Sequence, residues 1–510
     1  MLGRITGTSI QQAPRRFRVT GTLALASSLS VLSACTAPLA LEAPRPAVSV
    51  PAAWQQADPA PLTIDLVDYW RLLDDPLIDR FVAQSITANR ELAAAAARVA
   101  QSRSAVRQAR ASYLPQVDAS GGVRRDFGDF ASDELNFSLG GDVSWEADIF
   151  GRVDYAVAAS EAELAGSGFA LADLQRLIVG QVAQTTISAR ASAIRLAIAR
   201  DTLAIQDENL QIARWRREAG LVSSLDVEQA RSQRAQTAAT IPAIESDLAS
   251  SANAISTLIG EAPGPVLALL EDAATIPLPP AGFGFDAPAE ILRRRPDVRR
   301  AETALLADTA RLGLARTQLL PLVQLTGNIG AAFTNPSNLF DIITGGLFAG
   351  VRQLVFDGGR TRAQIDGAEA AAGASLAGWE QSILGALEDV ESAAVALRAA
   401  RERVVIFNEA LDAGRNAALL ARSQYQAGLI DFQTLLTAEN QLLGARNALV
   451  ASEADRAAAF VRLTQALGGG WTPADLQRAD LQDAGVPDAD LSDAPLIADD
   501  VTPMGERIEE

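Results

Sequence analysis

The chain has 510 residues and a formal net charge of −18, with 62 Asp and Glu against 44 Lys and Arg, and every cationic side chain is an arginine. An acidic chain without clustered cations is a poor binder of nucleic acid. It has no histidine and a single cysteine, which excludes a disulfide within the chain, argues against an enzyme and predicts no metal site and no cofactor. Abundant alanine with only 5% aromatic residues predicts a largely helical protein.

The first segment has the form of an export signal. Basic residues precede an apolar stretch at 19–32 that is too short to span a bilayer. The stretch ends in Leu32-Ser33-Ala34-Cys35, the lipobox pattern of bacterial lipoproteins, and Cys35 is the one cysteine of the chain. We predict a signal peptide at 1–34, lipidation of Cys35, and an extended tether within 35–74. The alternative is an ordinary signal peptide with an incidental cysteine.

After the tether the chain reads as two copies of one pattern. Four landmark pairs repeat at an offset of 206 to 208 residues: Pro115 and Pro321, Arg152 and Arg360, Gly220 and Gly428, Gly260 and Gly468. This offset predicts duplication of a large unit, with a first repeat at 75–262, a linker at 263–287 and a second repeat at 288–472. The acidic segment 473–510 is predicted to be a disordered tail.

Each copy is predicted to open with one helix, at 75–112 and at 288–318, that ends before a Leu-Pro pair. Two strands should follow in each copy, at 117–124, 137–149, 323–333 and 346–356. The first three alternate apolar and polar residues, whereas the fourth alternates poorly. Such alternation is typical of membrane-spanning barrel strands, although an ordinary half-buried sheet would show it too. Four strands cannot close a barrel, so either interpretation needs a partner sheet or further subunits.

Very long helices are predicted after the strands, at 153–219 and 360–427. Each ends at a glycine, Gly220 or Gly428, and returning helices follow at 225–258 and 434–467, so each copy contains a helical hairpin. Large or small apolar residues recur every seventh position from Ile383 to Tyr425, which indicates a coiled-coil seam. Pro242 should kink the first returning helix, and the second has no matching proline.

Three strings resemble the lipoprotein branch of the TolC-type outer membrane factors, the NodT-like efflux proteins. The most specific is LRRRPDVRRAE, from Leu292 to Glu302. The others are Tyr69-Trp70 followed by Asp75-Pro76-Leu77, and YQAGLIDF, from Tyr425 to Phe432. The resemblance runs from Cys35 to about Trp471, and its strength comes from the order of the three strings.

The resemblance implies an α+β membrane protein in which each chain contributes four β-strands to a shared twelve-stranded trimeric barrel. The long coiled α-helices would form a periplasmic tunnel, and the linker and terminal segments would pack around it as a belt. The protein would be lipid-anchored in the outer membrane, which Thr36 after the lipidated cysteine permits. Pro296 and Asp297 suit the first turn of a helix. The alternative, that Arg293 to Arg295 bind an anionic ligand, stays open.

The implied function is a passive export duct for drugs or other small molecules. The chain would form a homotrimer and work with a periplasmic adaptor protein and an inner-membrane pump of the RND type. The adaptor would contact the hairpin tips at Gly220, Leu221, Gly428 and Leu429. Strand alternation puts four acids on a polar face of the barrel lumen that would favour cations: Asp118, Asp142, Glu146 and Asp148.

The periplasmic gate is where this chain departs from its relatives. Family members carry acids shortly after the second hairpin turn, but the corresponding positions here are Thr434 and Thr437. The nearest acids are Asp431 and, in the first copy, Asp226. The gate is therefore either a threonine ring, with weak block by divalent cations, or a ring of Asp431.

Two other functional classes fit part of the sequence. A lipid-anchored coiled-coil scaffold or adaptor would explain the lipobox and the heptads but not the alternating strands. An enzyme would have to use carboxylates, and no pair of them is set apart by its spacing. Detergent-resistant trimers with heat-modifiable gel migration would distinguish the channel from the scaffold.

Overall fold

The computed structural model describes residues 44–55, 65–127, 135–271, 275–280, 288–335 and 343–472. The predicted signal peptide, Cys35, Thr36 and the acidic segment 473–510 lie outside these residues. The chain divides into two compact units. The first comprises Arg107–Ala159 and Asp308–Ala371, and the second comprises Pro44–Val106, Ser160–Ala307 and the chain from Ala372 onward.

The sheet of the first unit has four antiparallel strands in chain order. They are β1 (Gln116–Arg124), β2 (Asn136–Ala147), β3 (Leu322–Phe333) and β4 (Ile343–Arg352). The first copy supplies β1 and β2, and the second supplies β3 and β4. Each pair keeps one register along its length, so alternate residues of all four strands share a face. Within the described chain, the outer edges of β1 and β4 pair with no strand.

Two strand ends differ from the sequence prediction. β4 lies at 343–352 rather than 346–356, because pairing with β3 sets its register and several glycines hide its alternation. β2 ends at Ala147 rather than at residue 149, because the carboxylate of Asp148 turns away from the ladder to accept backbone N–H groups of the next helix.

The described chain contains these α-helices: α1 (Pro76–Ala88), α2 (Arg90–Ala111), α3 (Arg152–Glu218), α4 (Ser224–Leu258), α5 (Pro265–Glu271), α6 (Pro288–Arg294), α7 (Pro296–Thr317), α8 (Arg360–Gln426) and α9 (Phe432–Ala466). The bounds of α8 and α9 are those of α3 and α4 shifted by 208 residues. The predicted duplication is therefore present in the secondary structure. The predicted linker contains α5.

The single opening helix predicted for each copy is wrong, because both are broken. Asn89 separates α1 from α2 with an extended backbone, and its amide oxygen accepts the backbone N–H groups of Glu91 and Leu92. Its amide nitrogen donates to the carbonyl of Leu258, which fixes the break. In the second copy Arg295 separates α6 from α7, because the residue before Pro296 avoids the helical region.

The core of the second unit is built around the Tyr69-Trp70 string. Tyr69 is fully buried, and its ring packs edge-on against Trp70 at 5.6 Å and Phe460 at 6.5 Å between centroids. Residues 44–55 belong to this unit and contact α8. The backbone N–H groups of Ala47 and Gln55 each donate to a glutamate of α8 at 2.8 Å. Part of the predicted tether is therefore docked on α8.

The predicted heptad seam of α8 is buried along its whole length. Its members are Ile383, Val390, Leu397, Val404, Leu411, Ala418 and Tyr425, and each is buried. Pro242 lies inside α4, whose helical assignment continues through it. No helix in the described part of the chain is both long enough and apolar enough to cross a membrane.

Candidate functional site

One face of the sheet carries most of the polar side chains, as the alternation predicts, although Leu322 and Phe348 also lie on it. Asp118 and Asp142 are direct cross-strand partners, and Asn328 continues the row on β3. The next rows on this face carry Ser144 with Thr326, and Glu146 with Gln324. The two adjacent carboxylates of Asp118 and Asp142 repel each other, and together they concentrate negative charge at this level of the sheet.

The opposite face of the sheet is apolar. Val143 lies between Val117 and Gly327, and Trp145 lies opposite Leu325. The rings of Phe137 and Phe333 stack at 5.5 Å on the same face. The register thus separates the two faces as a strand needs when one side meets water and the other an apolar medium.

Two of the four acids predicted for the lumen have local partners. Glu146 is on the polar face but forms an ion pair with Arg152 at 3.1 Å. Asp148 is not on a strand face, and that part of the prediction is wrong. Its carboxylate accepts the backbone N–H groups of Arg152, Val153 and Asp154 at 2.6 to 3.1 Å and so caps α3.

The second long helix has an equivalent cap. The carboxylate of Asp357 accepts the N–H and the hydroxyl of Thr361 at 2.7 and 2.6 Å. The hydrogen bonds from Thr361 hold the pKa of Asp357 below its ordinary value. Asp148 and Asp357 thus cap the long helices of the two copies in the same way, because a negative charge is favourable at a helix N-terminus.

A cavity of about 770 Å³ lies beside the strand ends of the first unit. Its lining includes the Glu146–Arg152 pair together with Arg352 and Arg360. Arg352 and Arg360 form no ion pair with any residue that the structure describes. The polar face is therefore acidic at the level of Asp118 and Asp142 and basic at its end near the helices. Of the four acids predicted for the lumen, Asp118 and Asp142 are the two on the sheet that form no ion pair with a described residue.

The two hairpin turns have the same backbone structure. Gly220 and Gly428 each have φ of +74°, which a side chain would oppose. After each glycine, a leucine N–H donates to a carbonyl five residues earlier, at 2.8 Å for Leu221 and 2.9 Å for Leu429. This is the Schellman motif that ends a helix. Leu221 is 70% exposed and Leu429 is 75% exposed.

The four residues considered for the gate belong to the starts of the returning helices. Ser223 and Asp226 form a reciprocal capping box on α4. On α9 the acid is the cap itself, since Asp431 accepts the N–H of Thr434 at 2.8 Å. Hydrogen bonds from Thr434 hold the pKa of Asp431 below its ordinary value. The hydroxyl of Thr437 donates to the carbonyl of Gln433, and Thr437 is exposed.

A polar network joins the two hairpins near their ends, and no sequence pattern predicts it. Glu439 on α9 accepts from Asn209 on α3 at 2.8 Å and from Arg422 on α8 at 3.2 Å. The guanidinium of Arg216 lies 4.6 Å from the ring centroid of Tyr425 and donates to its carbonyl at 3.1 Å. Only the placement of Tyr425 in the heptad seam pointed to this region.

The arginine string at the start of the second copy has a structural role at Arg295. Its guanidinium is 3% exposed and pairs with Asp297 at 2.6 Å and Asp389 at 2.9 Å. It also donates to the carbonyls of Ala386 and Ala466, so all of its nitrogens have partners within the protein. Arg295 has no donor left for a ligand. No group of three or more carboxylate or thiol side chains in the described ranges could hold a metal ion.

Comparison with known proteins gives consistent matches. The sequence profile of the family described as outer membrane efflux protein matches residues 82–261 and 287–469. The chain is 28% identical to nodulation protein T of Rhizobium leguminosarum bv. trifolii, over 80% of this chain and 89% of that one. It is also 28% identical to the probable outer membrane lipoprotein SilC of Salmonella typhimurium, over 87% and 98%.

Solved structures agree with these relatives. The outer-membrane channel OprN is matched at a TM-score of 0.77 with 30% identity, over 86% of this chain and all of that one. CusC is matched at 0.73 with 26% identity, over 85% and all of that chain. The expected α+β fold and outer-membrane location are confirmed, and the scaffold alternative is set aside. The two profile segments coincide with the two structural copies, and the chain belongs to the outer membrane efflux protein family as a channel component of an efflux system.

Proposed function

We propose that three copies of the chain close one twelve-stranded barrel and form a passive export duct with no catalytic role. The observation that carries this proposal is the open four-stranded sheet, with one polar face, one apolar face and unpaired outer edges on β1 and β4 among the described residues. Exposed edges invite strands from other chains, and a barrel removes them. Three such sheets supply enough strands for a closed barrel.

Engineered disulfides test the closure. Cys35 is the only native cysteine. Once it carries lipid, any disulfide that forms must join the introduced thiols. A cysteine at Ser120 on β1 is combined with cysteines scanned along β4, at Thr344, Gly346 and Phe348. We expect one combination to yield covalently linked trimers on oxidation. Each single variant is the control and should give none. Only monomers, or a ladder longer than three, would contradict the barrel.

The duct would join a periplasmic adaptor protein and an RND-type inner-membrane pump, which supply substrate and energy. The names of the relatives include a cation efflux system and efflux pumps for toluene and antibiotics. Cargo therefore varies within the family, and we propose export of small molecules without naming one compound. The adaptor would contact the hairpin ends at Gly220, Leu221, Gly428 and Leu429, whose two leucines are exposed.

The lumen would be lined by the polar face of the sheet. Asp118 and Asp142, which lie side by side, would form an acidic ring in the trimer and favour cations. Glu146 would contribute less, because Arg152 pairs with it. Replacing both Asp118 and Asp142 with asparagine should reduce the cation selectivity that a salt gradient reveals in planar bilayers. Unchanged reversal potentials would remove these residues from the lumen.

The periplasmic gate would depend on helix packing and on the hydroxyls of Thr434 and Thr437 more than on charge. The carboxylate of Asp431 is used as a helix cap, and Asp226 belongs to the capping box of the other hairpin. We expect weak block by divalent cations in the wild type and stronger block in Thr437→Asp. Strong wild-type block that disappears in Asp431→Asn would assign the gate to Asp431 instead.

Cys35 would be the mature amino terminus and would carry the lipid. The chain has no lysine, so its α-amine is the only primary amine. Acylation of that amine would leave mature protein that amine-reactive dye cannot label, whereas Cys35→Ala precursor should label. Labelling of wild type purified from membranes would contradict an acylated terminus. Mass spectrometry of the intact protein identifies the attached groups.

A further inference from the structure

The two hairpin ends match in backbone but differ in the side chains that they expose. We define the first tip as residues 214–225 and the second tip as residues 422–433, which the offset of 208 relates one to one. Both turn at a glycine with φ of +74° and both expose a leucine directly after it. Any difference in binding must therefore come from the flanking residues.

The first tip is more apolar. Trp215 is 60% exposed and Leu225 is 64% exposed, in addition to Leu221. The equivalent positions in the second tip are Ser423 and Gln433. The first tip thus exposes three large apolar side chains, and the second tip exposes only Leu429.

The first tip also carries the free positive charge. Arg214 and Arg217 are exposed and form no ion pair with any residue in the described part of the chain. The second-copy equivalent of Arg214 is Arg422, which is committed to Glu439 at 3.2 Å. The equivalent of Arg217 is Tyr425, which is buried and covered by Arg216.

We infer that the first tip is the principal docking surface for the periplasmic partner, and that this partner presents carboxylates around an apolar contact. The inference rests on the proposed function, which puts an adaptor at the tips without distinguishing them. Tryptophan and arginine are enriched among the few residues that supply most of the binding energy in protein interfaces, and a guanidinium pairs well with a carboxylate. The second tip then acts as a weaker contact.

Charge distinguishes this partner from other occupants. Binding to anionic lipid takes clusters of about 4–8 cations, and each first tip offers two free ones. A second copy of this chain is a poor complement at its tips, because the two tips together contain four arginines and only two acids, Glu218 and Asp431, and Asp431 already accepts a hydrogen bond as a helix cap. A protein surface with exposed carboxylates satisfies both the apolar residues and the two arginines.

A photo-crosslinking amino acid placed at position 215 in living cells tests the inference, with position 423 as the matched control. We expect at least tenfold more adduct to a second protein from 215 than from 423. The crosslinked partner peptide, sequenced by mass spectrometry, should contain Asp or Glu beside apolar residues. Equal yields, no adduct from 215, or adducts to lipid or to this chain alone would overturn the inference.

Charge reversal supplies the second arm. Arg214→Glu with Arg217→Glu should cut the adduct at 215 by at least tenfold, and replacing the partner's carboxylates with arginine should restore it. No loss on reversal would contradict the proposed chemistry. Trp215→Ser copies the second-tip residue at an exposed position, so it should leave trimers intact while efflux falls. If the wild-type protein forms no trimers, that result counts against the proposed function and not against the choice of tip.

Discussion

Replacing Arg295 with methionine should destabilise the start of the second copy, where this side chain is the central contact. The change keeps a long apolar stem but removes five donors. The carbonyls of Ala386 and Ala466 then lose this donor, and Asp297 loses its two hydrogen bonds from the guanidinium. The variant therefore leaves a half-buried carboxylate that has lost its ion pair with Arg295 and keeps only the electrostatic interaction with Arg176 and the backbone N–H of Val298.

The expected cost is about 3 kcal/mol. Removing one partner of a buried ion pair typically costs about 3–5 kcal/mol. The lower end applies here because Asp389, one of the two carboxylates, is 58% exposed and its share is screened by water. At about 1.4 kcal/mol per factor of ten, this cost corresponds to a loss of protection against amide hydrogen exchange on the order of a hundredfold.

Hydrogen exchange measured by mass spectrometry suits this test, since it reports local opening without requiring reversible unfolding of the whole protein. The matched control is Arg293→Met, because Arg293 is exposed and pairs only with the exposed Glu290 in the described part of the chain. It should change protection by no more than about 0.5 kcal/mol. Equal effects of the two variants on peptides covering 289–305 would refute the role given to Arg295.

The same contact predicts a dependence on pH. Burial raises the pKa of Asp297, but the hydrogen bonds and charge of Arg295 outweigh it and hold that pKa below its ordinary value. A carboxyl with a lowered pKa in the folded state adds stability above the unfolded pKa of about 4, and this is lost as pH falls. Wild-type protection should therefore fall in acid, and Arg295→Met should show a smaller fall, because only Arg176 and the backbone N–H of Val298 then lower the pKa of Asp297.

The remaining predictions concern the sheet and the packing of α3. Val143→Arg should abolish heat-modifiable trimers on gels, because a charge on the lipid face costs about 2–4 kcal/mol, while Asp142→Asn should leave them intact; equal tolerance would refute the assigned faces. Gly180→Ala should lower the thermal unfolding temperature, because its Cβ would overlap the Gln465 amide and overpacking costs about 1–3 kcal/mol. Gly444→Ala in α9, with nothing described within 4 Å, should raise that temperature or leave it unchanged.

Features set by local periodicity could be predicted from the sequence. The hairpins and the heptad seam agree with the structure within a few residues, because a glycine turn and a seven-residue repeat are local signals. The polar face of the sheet also follows from alternation, apart from β4. There Gly346, Phe348 and Gly350 occupy positions on the polar face, and only pairing with β3 sets the register.

Features that depend on distant partners were missed. The break at Asn89 requires the carbonyl of Leu258, which is far away in sequence. The network at Glu439 joins three helices, and no spacing in the sequence announces it. Asp148 continues the alternation of β2 in the sequence, and an aspartate is compatible with a strand position as well as with a helix cap. Only its hydrogen bonds to the first residues of α3 distinguish the two positions.

The central claim is that this chain forms an open path across the outer membrane without an energy source of its own. Purified wild-type trimers reconstituted in planar bilayers under a salt gradient test it most directly. We predict discrete current steps without nucleotide or partner protein, and a reversal potential that favours cations, because the proposed lumen includes Asp118 and Asp142. Detergent-resistant trimers that insert but give no current steps under any voltage would contradict the account.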